Sequence, residues 1–352
     1  MLTRAWLRWL PAVAVPAVIA AGAVIIPMQA GAAVNLPAKT PSEVLALVAS
    51  SKVDTFSGTV EQTSNLGLPQ LPTTGPGSNS SDAAILDLLT ASHTARVYAD
   101  GPTKQRVQVL DSLAERDAVR NGTDAWLYSS KDKTATHITL PSKSASEQIA
   151  PDHTLTPAEL ADQLLAKVAP TTTVTLGDNQ SVAGRNAYEL VLTPNASSTL
   201  VGSVAIAVDS ETGLPLQVVV DARGQHDPAF TVGFSSLDLG TPAASLFTFT
   251  PPSDATVKQQ SLPTSPGAGT QKQESSHPKP TITGSGWDAV VEMKVESVPA
   301  SVTANPLYGE LTTPVAGGRS FSTSLVSVLI TDDGRVFAGA VPVSRLEAVA
   351  AQ

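Results

Sequence analysis

With 352 residues and 42% apolar side chains, the chain has room for one large domain and a smaller module, which excludes a wholly disordered polypeptide. A formal net charge of −9 without any Lys/Arg cluster argues against a nucleic-acid partner. Cysteine is absent, and with it disulfides, thiolate catalysis, Cys-ligated metals and a lipid-modified cysteine anchor.

Residues 1–32 read as an export signal. Arg4 and Arg8 precede an uncharged apolar run from Leu10 to Ile26, and Ala30-Gly31-Ala32 supplies the small side chains of a cleavage site. The run is short for the roughly 20 residues of a spanning helix, and prolines interrupt it at Pro11 and Pro16. The expectation is cleavage near Ala32, with an uncleaved N-terminal tether as the other reading. Both place the body outside the cytoplasm.

Thr40-Pro41-Ser42-Glu43 opens a short helix: the Thr40 hydroxyl accepts an orphan N–H, Pro41 fits the first turn, and Glu43 completes a capping box. Val44, Leu47 and Val48 form its apolar stripe. A strand follows from Thr55 to Ser64, with Phe56, Gly58 and Val60 on one face, and then a Gly/Pro/Ser/Asn-rich loop from Asn65 to Ser80. Ser81-Asp82 caps a second small helix. HTARVYAD, TKQRVQVL, ERDAVRN, DAWLYSS and THITLP then read as a run of strands with one wet face, turned at Asn121-Gly122 and at 129–133. Thr156-Pro157-Ala158-Glu159 repeats the helix cap, opening a helix with Leu160, Leu164, Leu165 and Val168 on a common face.

From Ser181 to Leu239 the chain alternates with period two in four runs. Tyr188, Leu190 and Leu192 share a face, as do Val204, Ile206 and Val208, then Leu216, Val218 and Val220, then Phe230, Val232 and Phe234. The connections at 209–213 and 223–228 are too short for parallel crossovers, so the runs form an antiparallel meander with one apolar face that needs cover. SLFTFTPP at 245–252 reads as a last strand stopped by Pro251-Pro252. Residues 253–283 have linker composition. Residues 284–352 read as a small β-rich module: Trp287, Ala289, Val291, Met293 and Val295 alternate, a hairpin turns at Asp332-Asp333-Gly334, and a short helix starts at Ser344. So small a unit without disulfides is expected to dock on the main domain.

No catalytic constellation emerges. His93, His137, His153, His226 and His277 are scattered, without metal-ligand spacing, and no nucleophile-elbow, phosphate-loop or dinucleotide motif is present. Glu115 and Asp117 share a strand face, but Lys104, Arg116 and Arg120 make them read as a solvated ladder of mixed charge. Asp332-Asp333 reads as turn geometry rather than a cation site. No enzyme, cofactor or metal is expected.

SGTVEQT at 57–63, RNGTDAWLYSS at 120–130, TLTPAELADQLLAKVAPTTTV at 154–174, VAGRNAYELVLTP at 182–194, AIAVDSETGLPLQVVVDA at 205–222 and FTFTPP at 247–252 together resemble the actinobacterial branch of the LolA-like family, which includes lipoprotein carriers and the related RseB/MucB-type periplasmic regulators. The resemblance implies an α+β fold: a curved, unclosed antiparallel half-barrel over residues 36–252, with helices covering an apolar concave face that accepts acyl chains. It implies an exported, non-enzymatic protein that holds lipid or an acylated lipoprotein. The alternative is an envelope-stress sensor contacting an anti-sigma factor or another membrane-anchored regulator. The groove lining expected on this basis is Leu160, Leu164, Leu165, Tyr188, Leu190, Ile206, Val218, Val232 and Phe234.

Overall fold

The computed structural model describes residues 34–68, 91–110, 114–140, 170–261, 280–294 and 306–352. The helices expected from Ser81 and from Thr156, the latter carrying Leu160, Leu164 and Leu165, lie outside those residues.

Six strands form the first half of the main sheet: β1 (Thr55–Ser64), β2 (His93–Asp100), β3 (Lys104–Leu110), β4 (Glu115–Asn121), β5 (Asp124–Ser129) and β6 (Thr134–Thr139). Each pairs antiparallel with the next. The second half is β7 (Thr172–Leu176), β8 (Gln180–Val182) and the meander β9 (Arg185–Pro194), β10 (Val201–Asp209), β11 (Pro215–Ala222) and β12 (Phe230–Asp238). β12 pairs antiparallel with β1 and joins the halves. With β13 (Thr256–Ser261) the result is one curved sheet of 13 strands that does not close, running from β13 and β6 at one edge to β7 at the other. The fold is the unclosed half-barrel that the sequence motifs imply.

Two tight turns fix the registers. Gly122, with φ +64°, takes the first central position of the β4–β5 hairpin, which closes with Asn121 opposite Asp124. Between β8 and β9 both central residues have positive φ, Ala183 at 51° and Gly184 at 76°, the arrangement of a type I′ turn. The meander's alternation matches the structure except at Leu216. A bulge shifts the β10–β11 register between Ala207 and Val208, with Ala207 opposite Gln217 and Val208 opposite Pro215. The extra residue turns Leu216 to the outer face, where it packs with Val182, Ala187 and Ala207 instead of following Val218 and Val220.

α1 (Pro41–Ala49) begins with the expected capping box: the Glu43 N–H donates to Thr40 Oγ1 at 3.3 Å, and the Thr40 N–H donates to Glu43 Oε2 at 2.7 Å. The stretch expected as a last strand at 245–250 instead forms a 3-10 turn at Ala244–Phe247. Its Phe247 is buried against the outer face of the sheet. Arg106 holds it there. Its Nε and Nη2 donate to Asp117 Oδ1 and Oδ2 at 3.0 and 2.6 Å, and its Nη1 donates to the Leu246 carbonyl at 3.1 Å. Asp117 is therefore a buried ion-pair partner, not a member of a solvated ladder.

Within the stretch of linker composition, β13 pairs parallel with β6, so this part of the chain is ordered on the sheet edge. The C-terminal sheet has six strands in the order β14 (Thr281–Thr283), β15 (Val290–Lys294), β19 (Arg335–Gly339), β18 (Ser327–Thr331), β17 (Gly318–Ser322) and β16 (Thr313–Val315). α2 (Pro306–Leu311) precedes β16, and α3 (Val343–Ala350) packs Leu346 and Val349 onto Val290, Leu329 and Phe337. Trp287 belongs to a 3-10 turn before β15 rather than to the strand itself.

Candidate functional site

Strand alternation places Val174 and Leu176, Tyr188, Leu190 and Leu192, Val204 and Ile206, and Val218 and Val220 on one face of the sheet, and the register carries that face onward. Val232 lies opposite Val218, Gln62 opposite Val232, Ala95 opposite Val60, and Val109 opposite Ala95. The face is thus apolar over eight strands, from β7 through β12 and β1 to β3.

α1 seals one end of it. Val44, with no exposed surface, packs on Tyr188, Leu190 and Val208, and Leu36, Leu45, Leu47 and Val48 surround the contact. The Tyr188 hydroxyl donates to the Pro37 carbonyl at 3.0 Å. This docking needs Gly213 in the β10–β11 turn: its φ is +74°, and a Cβ there would run into the Leu47 carbonyl. Tyr188 and Leu190 are accordingly core residues beneath a helix, and Ile206 sits at the rim of that cluster.

Toward β12 the character changes. Val232 is buried with Val60, Ala95, Val97 and Val109, while Val218, Phe230, Phe234, Phe56 and Val107 around them remain partly exposed. Phe56 meets Phe234 edge to face, with ring centroids 5.9 Å apart. Gly58 makes room for that ring, since a Cβ would stand 2.9 Å from Phe234 Cδ1 and 2.6 Å from the Ser236 carbonyl. Farther out on the same face, Leu127 is 49% exposed. Of the described lining residues, Val218, Val232 and Phe234 therefore come together in one patch, and Tyr188 and Leu190 belong to another.

Sequence alternation missed two polar members of the face, Gln62 and His93, which lie opposite each other and are buried. Gln62 Nε2 donates to the Ala91 carbonyl at 3.2 Å. The signal for them was the period-two phase itself, which continues past Val60 and past Ala95 into polar residue types.

The C-terminal module closes the end of the face opposite α1. Ser64 lies opposite Phe230, Val201 opposite Ala222, and Thr172 opposite Pro194, so the end of β1, the β9–β10 turn and the start of β7 share one end of the sheet. Each receives a contact from the module. The Ser324 N–H donates to the Leu66 carbonyl at 2.9 Å, Thr199 Oγ1 and the Leu200 N–H both donate to the Ala340 carbonyl at 2.7 and 2.8 Å, and Trp287 Nε1 donates to Thr172 Oγ1 at 2.7 Å. Thr172 is in phase with Val174 and Leu176, so the indole reaches the apolar side.

The buried carboxylates Asp117 and Asp209 lie on the other face, whereas Arg116 stands opposite Val109 on the apolar one. Asp209 is buried and receives Arg185 Nε at 2.6 Å, and this carboxylate raises the Arg185 pKa above its ordinary value. Burial raises the Asp117 carboxyl, with Arg106 opposing the shift. Burial, then the Asp178 and Asp221 charges, raise Glu189. Among the described residues no group of three or more His, Asp or Glu side chains is placed to hold a metal ion, and no helix is long and apolar enough to cross a membrane.

By geometry the molecule is a half-barrel with an apolar face, one end under a helix and the other under a second sheet. No family model and no curated protein matches the sequence. Similar solved structures include the Pseudomonas aeruginosa MucA/MucB complex, at 18% identity over 88% of this chain and 96% of that chain, with a TM-score of 0.45. They also include an uncharacterised conserved protein from Thermus thermophilus, at 14% identity over 62% and 98% with a TM-score of 0.35. A third is a LolA superfamily protein from Nitrosomonas europaea, at 13% identity over 60% and 99% with a TM-score of 0.23.

Proposed function

We propose that this is an exported, non-enzymatic binding protein that holds a lipid, or the acyl chains of a lipoprotein, against the apolar face of its half-barrel. The observation that carries the reading is the patch around Val218, Val232 and Phe234, which continues the face beyond α1 and leaves aromatic and aliphatic side chains partly exposed. Burial of an alkyl chain contributes about 0.8 kcal/mol per methylene, so a long chain binds such a face tightly without a polar motif. Leu160, Leu164 and Leu165 complete the lining in this reading. The half-barrel domain at 36–252 is the binding unit, and the module at 284–352 its end piece.

Native mass spectrometry of protein purified from its own host is the test, together with titration of a fluorescent fatty acid. A co-purifying lipid is expected, as is loss of fatty-acid binding by at least about tenfold in Val218→Arg with the fold retained. A ligand-free protein that also fails to bind the probe overturns the reading. The docked six-stranded module, which a simple carrier does not require, favours a second role in which the same chain senses lipid and contacts a membrane-anchored regulator. Crosslinking in the host that recovers no membrane protein would remove that role and leave the carrier.

A further inference from the structure

Every strand pair of the main sheet is antiparallel except the last, where β13 runs parallel to β6 with Thr256 opposite Thr134 and Ser261 opposite Thr139. The Thr256 N–H donates to the Lys133 carbonyl at 2.7 Å, which sets the phase. In a parallel pair alternate residues direct their hydrogen bonds at the neighbour, so Thr256, Lys258 and Gln260 point their N–H groups at β6, and Val257 and Gln259 point theirs away.

Among the described residues little else holds β13. Its side chains from Thr256 to Gln260 are exposed, Val257 to 48%, and none belongs to a hydrophobic cluster. Two side-chain contacts accompany the backbone bonds: an exposed ion pair of Lys133 Nζ with Asp254 Oδ2 at 2.8 Å, and Gln259 Oε1 at 2.9 Å from His137 Nδ1. A strand ordered without apolar burial opens far more readily than its neighbours. β6 is the reverse case. Ala135 is fully buried, and His137 stacks on Trp126 with centroids 4.4 Å apart and lies 2.9 Å from Asp124 Oδ1 through Nε2. The edge strand is packed into the fold, and the strand upon it is held by backbone bonds and exposed side-chain contacts.

We propose that the β6 edge is a recognition site for an extended polypeptide segment of a partner protein, occupied in the free chain by β13, which yields when the partner binds. The seated strand defines the partner's chemistry: a segment parallel to β6 with an acidic side chain for Lys133, an aliphatic one beside Ala135 three positions on, and an amide or carboxylate oxygen for His137 two positions after that. Asp254, Val257 and Gln259 fill those places here.

The probe is a fluorescein-labelled peptide of sequence DATVKQQ, matching residues 254–260, titrated into the full chain. Lys258→Pro removes a donor that faces β6, whereas Val257→Pro removes one that faces solvent. Binding at least about tenfold tighter to Lys258→Pro than to either the wild type or Val257→Pro is expected. Equal affinity for all three proteins overturns the proposal, as does a wild-type dimer that Lys258→Pro abolishes, which would assign the edge to a second copy. Native-state hydrogen exchange of the wild type tests the premise independently of any variant. The amides of Lys258 and Gln260 should exchange far faster than those of β4 and β5, and equal protection would show that β13 is a fixed strand.

Discussion

Glu189 illustrates how a single side chain can work against the sheet that carries it. It stands half-buried on the outer face of β9, receives Gln180 Nε2 at 2.9 Å, and has its pKa raised by burial and by the Asp178 and Asp221 charges. A carboxyl whose pKa is higher in the folded state than in the unfolded one binds its proton more tightly when folded. Stability therefore rises as pH falls from the folded toward the unfolded value, and the ionised group destabilises at neutral pH. Glu189→Gln keeps the acceptor for Gln180 and removes the charge. We expect the variant to melt higher than the wild type at pH 7, by no more than about 1 kcal/mol after solvent screening, with the difference shrinking on acidification. Melting curves at neutral and mildly acidic pH check both signs. Asp117 is the contrasting case, because Arg106 pairs with it through both carboxylate oxygens and the pair pins the turn at Leu246.

At the scale of elements, the docking of α1 depends on a residue in a different part of the chain. Gly213→Ala forces a non-glycine residue to φ +74° and drives its Cβ into the Leu47 carbonyl. The left-handed conformation alone costs roughly 1–2 kcal/mol, and displacement of Val44 from Tyr188 and Leu190 adds to it. Urea unfolding should show a loss of about 2 kcal/mol or more, with hydrogen exchange in α1 rising more than in β1–β3. The helix and the strand that it covers were both legible in the sequence, the first from the Thr40–Glu43 capping box and the second from the alternation of Tyr188, Leu190 and Leu192. Their contact was not, because nothing local links Leu47 to Gly213. Leu216 was misplaced because a bulge changes which face a residue occupies without changing the alternation on either side of it. β13 was invisible for another reason: TVKQQS has one aliphatic residue, and edge pairing through backbone groups leaves no hydrophobic pattern to read. Phe247 and Phe249 were read as strand from their spacing, yet the aromatic contacts of Phe249 with Trp126 and Tyr128 and the Arg106 bond to Leu246 bring this segment across the outer face. The site was half legible on the same grounds. Periodicity found the face but could not separate Tyr188 and Leu190, under α1, from Val218 and Phe234 beyond it.

At the scale of the whole molecule, the two sheets are tied at three points on one end of the apolar face, and the polar bonds there are few. A neutral hydrogen bond contributes about 0.5–1.5 kcal/mol, so removing two of them weakens the junction without touching either core. Thr199→Val deletes the hydroxyl that donates to Ala340 and accepts from the Val201 N–H, and Trp287→Phe deletes the N–H that donates to Thr172 while trimming the indole to a phenyl ring. The module's own core of Val290, Leu329, Phe337, Val341, Leu346 and Val349 remains intact, as does the half-barrel's. Calorimetry of the wild type should give one cooperative transition, because a small β-rich unit without disulfides relies on the surface on which it docks. The double variant should give two, the module melting first. A single transition at the wild-type temperature would show that contacts other than these bonds bind the module to the sheet. In the expected outcome, the far end of the apolar face is closed by a unit that can detach while the half-barrel stays folded.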